Sequence, residues 1–385
     1  MKSYNHLIEK LLDKDTLILA MKKAGKGKRK NNRRHKKLRE YRDNPEQYVD
    51  FFIDYISNYE LLEHHIKIIN DGISAKVRKI VIPTAEEVVL HNAIIIVLKL
   101  ILSRGMYEHS YACIENRGIH QAKKVIDKWI RKDKKNTKYY LKMDIKQFFN
   151  SVSQILLLKM FNKVLRDKSF IALLSIILKT VPYGIALGYT TSHWFANWLL
   201  TPLDHYIKET LQIKYYVRFV DDMVLFGSNK RKLHRARYLI TKYLKENLDL
   251  DIKNNWQVVL FSDIKETTIR TSKTQEGRFL DFLGFKFYKN KTGLRKRLAL
   301  TIRRKANHIY KKGYANIRDA RQMVTYAGFC LYANCYKWFN KYILKKVSIS
   351  KLRKQISKYD KEKISSKAKS SNLTLNSNPN LIICL

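Results

Sequence analysis

Apolar side chains recur at the spacing of an α-helix in several segments of the chain. Residues 46–70 show this pattern at Phe51, Phe52, Tyr55, Ile56, Tyr59 and Leu62, which predicts an amphipathic helix. The more apolar segment Ile94–Leu102 is interrupted by Lys99 and is too short to cross a membrane, so it predicts a buried helix. Residues 153–180 and 229–247 alternate apolar and basic positions at the same period and predict two further helical regions.

Two other segments have the β-branched and aromatic composition of strands, and both lead to acids. Residues Tyr139–Met143 run directly into a single acid, Asp144. Residues 215–227 form two apolar stretches that meet at Asp221-Asp222, which predicts a β-hairpin with two adjacent carboxylates in its turn.

These three carboxylates indicate a particular chemistry. Adjacent like charges raise each other's pKa, so a pair such as Asp221-Asp222 persists most readily where cations neutralise it. Hard, oxygen-seeking ions such as Mg²⁺ are suited to that role. For the pair alone, an Asp-rich turn without a ligand is the alternative. Together with Asp144, the pair supplies the minimum set of carboxylates for two-metal phosphoryl transfer.

Composition and charge narrow the class of protein. The 385 residues are 45% apolar, which is enough for a core in two or three domains. The formal charge of +44 implies a polyanionic partner, and the Tyr and Phe interleaved with the cations favour nucleic acid over a membrane. The start of the chain leads into no apolar signal segment. The four cysteines form no Cys-x-x-Cys pair, which argues against zinc and predicts a reduced, cytoplasmic setting.

Five segments, in the order in which they occur, resemble the motifs of reverse transcriptases. Asp144 with Phe148 and Phe149 resembles motif A, and Phe219–Asp222 resembles the x-x-Asp-Asp box of motif C. The other three matches are Gly184–Asn197 with Leu203-Asp204 for motif B, Leu250–Lys253 for motif D and Phe282–Phe285 for motif E. The resemblance covers roughly residues 75–340, and the five motifs together are far more specific than any one alone.

The resemblance implies an α+β fold of the right-hand polymerase type, in which a split β-α-β palm carries the Asp-Asp hairpin. The expected domains are a basic N-terminal arm (1–45), fingers (46–140), a palm with motifs A to E (141–290), a helical thumb (291–347) and a mobile tail (348–385). The arm includes the basic block Lys22–Arg42 and is expected to become ordered on RNA. The tail is rich in Ser, Lys and Asn.

The resemblance also assigns roles to residues at the matching positions. Catalysis is expected from Asp144, Asp221 and Asp222, and two Mg²⁺ ions, with Mn²⁺ as an alternative, are expected at Asp144, Ile145 and Asp221. The incoming nucleotide is expected at Arg78 in the basic strand Lys76–Pro83, at Phe149 as a steric gate against a 2′-hydroxyl, and at Leu187, Gly188 and Lys253. Template and primer are expected at Arg117, His120, Leu283 and Gly284.

The chain departs from the commonest patterns of the family at two places. Intron-encoded and viral enzymes usually place Gln before the motif B glycine, whereas Leu187 stands here, as in reverse transcriptases of diversity-generating retroelements. Ala186 and His193 differ from that subtype and leave room for the antiphage-defence reverse transcriptases. Where the family often has Lys-Asp-Arg, this chain has Glu86-Glu87-Val88, so any contact of that arginine is absent or supplied elsewhere.

The resemblance implies that the chain copies a structured non-coding RNA into cDNA, with low fidelity if it belongs to a diversity-generating retroelement. The expected partners are the RNA template, the cDNA product and a cognate structured RNA. A small accessory protein or a second copy of the chain are further candidates, and no membrane is expected. The rival hypothesis is a catalytically silent RNA-binding module, which the three intact acids disfavour. A bacterial or phage-encoded protein in the cytoplasm is expected.

Overall fold

The apolar and basic segments of the chain form two units in the computed structural model. The structure describes residues 3–28, 32–71, 76–262, 265–267 and 274–375. The first unit is Met1–Arg278 and the second is Phe279–Leu385. The segment Phe282–Phe285, which the sequence analysis placed in the palm, therefore lies in the second unit.

The basic N-terminal region, which was expected to be an arm that becomes ordered on RNA, is helical. Its elements are α1 (Leu7–Leu12), α2 (Lys14–Gly25), α3 (Arg33–Asp43), a 3₁₀ turn (Pro45–Tyr48) and α4 (Val49–Ser57). Leu17, Met21 and Leu38 are completely buried in the core of the first unit. The structure differs from the expectation because the apolar residues among the cations share one face, and that face packs inside the first unit.

A β-hairpin follows these helices and leads into the apolar helix. Its antiparallel strands are β1 (His65–Asp71) and β2 (Lys76–Ile82), and the helix is α5 (Ala85–Ser103). The predicted helix over 46–70 is wrong beyond Ser57. Residues 65–71 pair with β2 as an antiparallel strand. The extended backbone suits the β-branched side chains of Ile66, Ile68 and Ile69 better than a helix does.

A five-stranded sheet forms the centre of the first unit. Its strands are β3 (Ser110–Tyr111), β4 (Tyr139–Asp144), β5 (Tyr215–Phe219), β6 (Asp222–Gly227) and β7 (Gln257–Leu260), in the order β3-β5-β6-β4-β7. All neighbours are antiparallel except β3 and β5. The middle strands are apolar on both faces because helices cover the sheet, so Leu141, Val217 and Leu225 are fully buried.

The remaining helices of the first unit surround this sheet. They are α6 (Ile119–Lys132), α7 (Phe148–Ser151), α8 (Gln154–Val164), α9 (Lys168–Leu178), α10 (Thr190–Leu199), α11 (Thr201–His205), which continues as a π-helical turn (Tyr206–Thr210), and α12 (Lys230–Leu248). The helical pattern over 153–180 is broken at Asp167, whose carboxylate caps α9 and accepts hydrogen bonds from the backbone N–H groups of Leu7 and Ile8. A small hairpin of β8 (Lys265–Thr267) and β9 (Thr274–Glu276) follows β7.

The second unit has its own small sheet and its own helical core. Its elements are β10 (Leu280–Phe282), β11 (Phe285–Phe287), β12 (Thr292–Leu294), α13 (Lys296–Lys312), α14 (Ile317–Leu331), α15 (Tyr336–Phe339), a π-helical turn (Asn340–Leu344) and α16 (Ile349–Leu375). The segment expected to be a mobile tail is thus helical as far as Leu375. The first turns of α16 pack against the rest of the second unit: Leu352 is buried there, and Arg321 of α14 pairs with Asp360 at 2.6 Å. In the part of the chain that the structure describes, no helix combines the length and apolarity needed to span a bilayer.

Candidate active site

The three predicted catalytic acids come together at one end of the central sheet. Asp144 is the last residue of β4 and lies directly opposite Asp222, the first residue of β6. Asp221 occupies the turn between β5 and β6, and Val220 before it has a left-handed backbone with φ of 56°. A β-branched residue rarely adopts that conformation, so the turn that presents Asp221 is strained.

The surroundings of Asp221 disfavour its charged form, and one oxygen of Asp144 lacks a hydrogen bond. Burial, followed by the charge of Asp144 and that of Asp222, raises the pKa of Asp221 to about 7. Oδ2 of Asp144 pairs with Nζ of Lys253, whereas Oδ1 of Asp144 is buried without a hydrogen-bond partner. A buried carboxylate oxygen without a partner is costly, so this arrangement is suited to receiving a cation.

The donor set at this end of the sheet fits a hard divalent ion. Asp144 and Asp221 supply carboxylate oxygens, and the backbone N–H of Ile145 donates to the carbonyl of Asp221 at 3.4 Å, which places the Ile145 main chain beside them. Among the described residues, no group of three His, Cys, Asp or Glu side chains is already arranged around one ion position. Lys253 accounts for part of this, because it engages the Asp144 oxygen that an ion would also use.

A buried ion pair between Arg218 and Asp204 is bonded to the turn that carries Asp221. Arg218 of β5 and Asp204 of α11 are both completely buried, and Nη2 and Nε of Arg218 donate to the two oxygens of Asp204 at 2.6 and 2.8 Å. Nη1 of Arg218 donates to Oδ1 of Asn197 at 3.1 Å and to the carbonyl of Val220 at 3.0 Å. Arg218 therefore holds the strained residue next to Asp221.

Phe149 and the start of motif B are joined through the backbone. The N–H of Ile185 donates to the carbonyl of Phe149 at 2.8 Å. Gly184 has φ of 75°, and a Cβ there would lie 2.2 Å from the same carbonyl, so only glycine fits. The Phe149 ring stands edge to face with His193 at 5.3 Å, and burial lowers the pKa of His193. The predicted steric-gate ring is thus fixed by its own backbone and by a neighbouring imidazole.

Leu187 and Gly188 fasten motif B to the strand that carries Arg78. The N–H of Val81 in β2 donates to the carbonyl of Leu187 at 2.8 Å. Gly188 has φ of 119°, and a Cβ there would lie 2.1 Å from the carbonyl oxygen of Val81. Arg78 is exposed on the same strand, opposite Ile69. The resemblance assigned these residues to the nucleotide, and the fold explains why the motif needs glycine.

The predicted template and primer residues lie in three other places. Arg117 lies before α6 and donates to the carbonyl of Tyr107 at 2.9 Å. His120 lies in the first turn of α6, where burial followed by Lys123 and Lys124 lowers its pKa. Leu283 and Gly284 form the turn between β10 and β11 in the second unit, with φ of 53° and 85°. These four residues remain a prediction as nucleic-acid contacts.

Sequence reasoning missed the role of Glu87. This buried carboxylate accepts hydrogen bonds from the Tyr59 hydroxyl at 2.9 Å and from the backbone N–H of Thr84 at 2.8 Å, and it contacts Nε2 of His64 at 2.6 Å. The neighbouring Glu86 is held by Tyr41 and Lys37 of α3. The available signal was Thr84-x-x-Glu87, which is a capping box before an apolar run.

Together, the sheet with its acid-bearing hairpin and the surrounding helices define the palm of a right-hand polymerase. The family described as reverse transcriptase (RNA-dependent DNA polymerase) matches residues 68–287, more than half of the chain. The chain therefore belongs to the reverse transcriptase family, whose members are RNA-directed DNA polymerases and thus nucleotidyltransferases that use divalent ions, typically Mg²⁺. The predicted fold class and class of enzyme are confirmed.

Two similar solved structures are telomerases. Apo telomerase from Candida tropicalis is 14% identical with a TM-score of 0.42, and the match covers 60% of this chain and 48% of that one. Telomerase from Candida albicans in complex with a fragment of telomeric RNA is 14% identical with a TM-score of 0.43, covering 78% and 62%. This chain spans about half to three fifths of their lengths. Among curated proteins, none matches the sequence.

Proposed function

We propose that this chain copies an RNA template into DNA by two-metal nucleotidyl transfer at Asp144, Asp221 and Asp222. The observation that carries the proposal is the surroundings of Asp144 and Asp221. The pKa of Asp221 is raised to about 7 beside Asp144, and Oδ1 of Asp144 is buried without a partner. Within the described residues, the cation that pairs with Asp144 is Lys253, whose side chain can move when a divalent ion binds.

Each residue near the cluster has a proposed task. Asp144 and Asp221, with the Ile145 main chain, hold two Mg²⁺ ions or, alternatively, Mn²⁺. When bound, such ions activate the attacking hydroxyl and neutralise the leaving pyrophosphate. Asp222 supports Asp144 across the strand pair. Lys253, once released from Asp144, and Arg78 on β2 contact the triphosphate.

The surrounding segments take the roles of fingers, palm and thumb in this proposal. Phe149 excludes a 2′-hydroxyl, while Leu187 and Gly188 line the nucleotide. Arg117 and His120 contact the template, and the Leu283-Gly284 turn contacts the primer. The cations of α13 and α14 hold the duplex backbone. The proposed fingers, palm and thumb keep the boundaries expected from the sequence, except that the Leu283-Gly284 turn belongs to the second unit. We place this activity in the cytoplasm of a bacterium or in a phage-encoded system.

The direct test is primer extension on a long RNA template by the full chain with Mg²⁺. We expect deoxynucleotide addition by the parent protein, none by Asp221→Asn, and unchanged RNA binding by both. A silent RNA-binding module instead predicts RNA binding with no extension by either protein. Extension retained by both Asp144→Asn and Asp221→Asn would contradict the assignment of the acids.

We further propose that synthesis is of low fidelity and that the template is a structured non-coding RNA. Leu187 supports low fidelity because its side chain can neither donate nor accept a hydrogen bond near the incoming nucleotide. A mispaired geometry then loses no hydrogen bond there, which reduces discrimination by ~1 kcal/mol, or roughly five- to tenfold in error rate. Leu187→Gln should lower misincorporation opposite RNA, most visibly opposite adenine. If the parent protein and Leu187→Gln are both active and have the same error spectrum, Leu187 does not support low fidelity.

The biological setting has two candidates, and one measurement separates them. A diversity-generating retroelement predicts that the co-purifying RNA contains a template repeat and that its cDNA carries adenine-specific errors. A defence-associated enzyme predicts its own non-coding RNA and faithful or repetitive cDNA. Sequencing the nucleic acid that co-purifies with the full chain distinguishes them. A small accessory protein or a second copy of the chain remains a proposed further partner.

A further inference from the structure

Helix α12 carries an uncompensated cluster of cations far from the catalytic acids. Its first two turns contain Lys230, Arg231, Lys232, Arg235 and Arg237 and no acid. The helix follows β6 at the end opposite Asp222, and five residue steps along a strand separate the two ends by about 17 Å. The cluster is therefore outside the nucleotide site.

The charges in this half of the helix contrast with those in its second half. Lys242 and Lys245 pair with Glu246 and Asp249 at 3.8 and 3.1 Å. Lys230, Arg231, Lys232 and Arg235 form no ion pair within the described residues. Burial, together with the charges of Lys230 and Arg237, lowers the pKa of His234 between them. The first half of α12 thus presents an unbalanced positive field.

An aromatic side chain lies beside these cations. The guanidinium of Arg237 stands 4.3 Å from the centroid of the half-buried Trp256 ring, and the His234 ring meets the same indole edge to face at 6.0 Å. His234 and Trp256 line a concavity of about 350 Å³ together with Lys230, Arg278 and the edge strand β7. An indole between cations is a platform on which an unpaired base can stack.

A second concavity lies on the other side of the same helix turns. It measures about 420 Å³ and is lined by Lys232 and Arg235 of α12, by Ser228 and Asn229 before the helix, and by Asn136 and residues 210–214, which precede β4 and β5. The helix therefore stands between two hollows, each with two or more cations on its wall. A chain with evenly spaced negative charges could cross from one hollow to the other.

We propose that this surface, the α12 face (Lys230, Lys232, His234, Arg235, Arg237 and Trp256), binds RNA outside the active site. Phosphates contact the lysines and arginines, and an unpaired base stacks on Trp256. An acidic protein would neutralise the cations of α12 but would offer no base to stack on the Trp256 indole between them. The choice of RNA over DNA rests on the proposed function, because the structured RNA is its expected partner. The α12 face holds that RNA while another part of it is copied.

The test measures RNA affinity at the α12 face in the full chain. The probe is an RNA hairpin with a single-stranded 3′ tail, added after a short primer–template has saturated the active site. The variant is Lys230→Gln/Arg235→Gln, and the matched control is Lys242→Gln/Lys245→Gln on the same helix. A second variant, Trp256→Leu, removes the stacking platform without changing charge.

We expect the first variant to weaken hairpin binding about tenfold or more and to lower the slope of log affinity against log salt by about 0.7 for each phosphate that it no longer neutralises. Trp256→Leu should weaken binding about tenfold with an unchanged salt slope. Extension of a primer on a template too short to leave the palm should be unchanged in both. Equal loss in the control pair, or unchanged hairpin affinity in both variants, would overturn the proposal. Neither result depends on whether the acids polymerise nucleotides.

Discussion

The short segment from Arg218 to Asp222 contacts acids at both of its ends, and the two sites differ in how far the acids are neutralised. Arg218 at one end contacts Asp204, and Asp221 and Asp222 at the other end lie beside Asp144. Asp204 is completely buried, and the guanidinium of Arg218 donates hydrogen bonds to both of its oxygens, so the charge of Asp204 is neutralised. Within the described residues, Asp144 pairs with Lys253 through Oδ2, whereas its Oδ1 is buried without a hydrogen-bond partner. The segment from Arg218 to Asp222 therefore connects a satisfied ion pair to a cluster of acids that contains an unsatisfied oxygen, which we call the unsatisfied cluster.

The difference separates residues that build the fold from residues that we propose to do chemistry. Evolution can bury a charge where a partner neutralises it, as at Asp204, and such a pair then fixes a conformation. Charge left without a partner costs stability, so its persistence indicates a ligand that neutralises it in the working protein. The two clusters are also connected, because Arg218 donates to the carbonyl of Val220, the residue before Asp221.

The largest expected effect breaks the unsatisfied cluster. Asp221→Asn removes a proposed metal oxygen and should lower the rate of nucleotide addition by roughly three orders of magnitude or more, since loss of ~4 kcal/mol of transition-state stabilisation has that effect. Single-turnover primer extension measures it. Asp249→Asn is the matched control, because it makes the same substitution in the same unit and asparagine tolerates the left-handed backbone there. Equal losses in both variants would contradict the comparison.

The next effect breaks the satisfied pair. Arg218→Met leaves Asp204 buried without a cation and should cost about 3–5 kcal/mol of unfolding free energy. Unfolding of the full chain in denaturant measures this loss of unfolding free energy. The double variant Arg218→Met/Asp204→Leu should recover most of that stability while activity stays low, because the carbonyl of Val220 has still lost its donor. Recovery of full activity in the double variant would show that Arg218 does not position Asp221.

A smaller effect tests a neutral neighbour of the unsatisfied cluster. Phe149→Ala should admit ribonucleotides and reduce the preference for deoxynucleotides by about tenfold or more, a difference of about 1–3 kcal/mol in a shaped apolar pocket. Competitive incorporation assays measure the ratio. Phe148→Leu is the control, because Phe148 is buried and packs on the core rather than at the site. Reduced stability with an unchanged sugar ratio would make Phe149 an ordinary core aromatic.

Sequence alone predicts the parts of this fold that depend on local pattern. The acid-ended strands, the hairpin at Asp221-Asp222 and the helix over 229–247 follow from spacing and residue type, whereas the motif B glycines follow from the resemblance to the family. The structure places the three acids together as expected. Leu187 and Gly188 were predicted near the nucleotide, and the structure adds the bonds to β2 that explain the glycine.

The rest depends on contacts between distant residues, which no local pattern reports. The basic N-terminal segment looked like an arm because its charge outweighs its apolar residues, yet Leu17, Met21 and Leu38 share a buried face. Residues 65–71 form a strand only because β2 is available to pair with them. Arg218 and Asp204 are 14 residues apart, and nothing in the sequence showed that they would be each other's partner.

The most direct test of the central claim is the melting temperature of the full chain at pH 8 with EDTA or with Mg²⁺. Because the pKa of Asp221 is raised to about 7, stability that is present when the acid is protonated is lost as the pH rises from about 4 towards 7, and at pH 8 the cluster destabilises the metal-free protein. Asp221→Asn should therefore melt higher than the parent in EDTA, by roughly 2–4 °C per kcal/mol of repulsion removed. Mg²⁺ should raise the parent's melting temperature more than the variant's. A variant that melts lower in EDTA, with no effect of Mg²⁺ on either protein, would contradict the account.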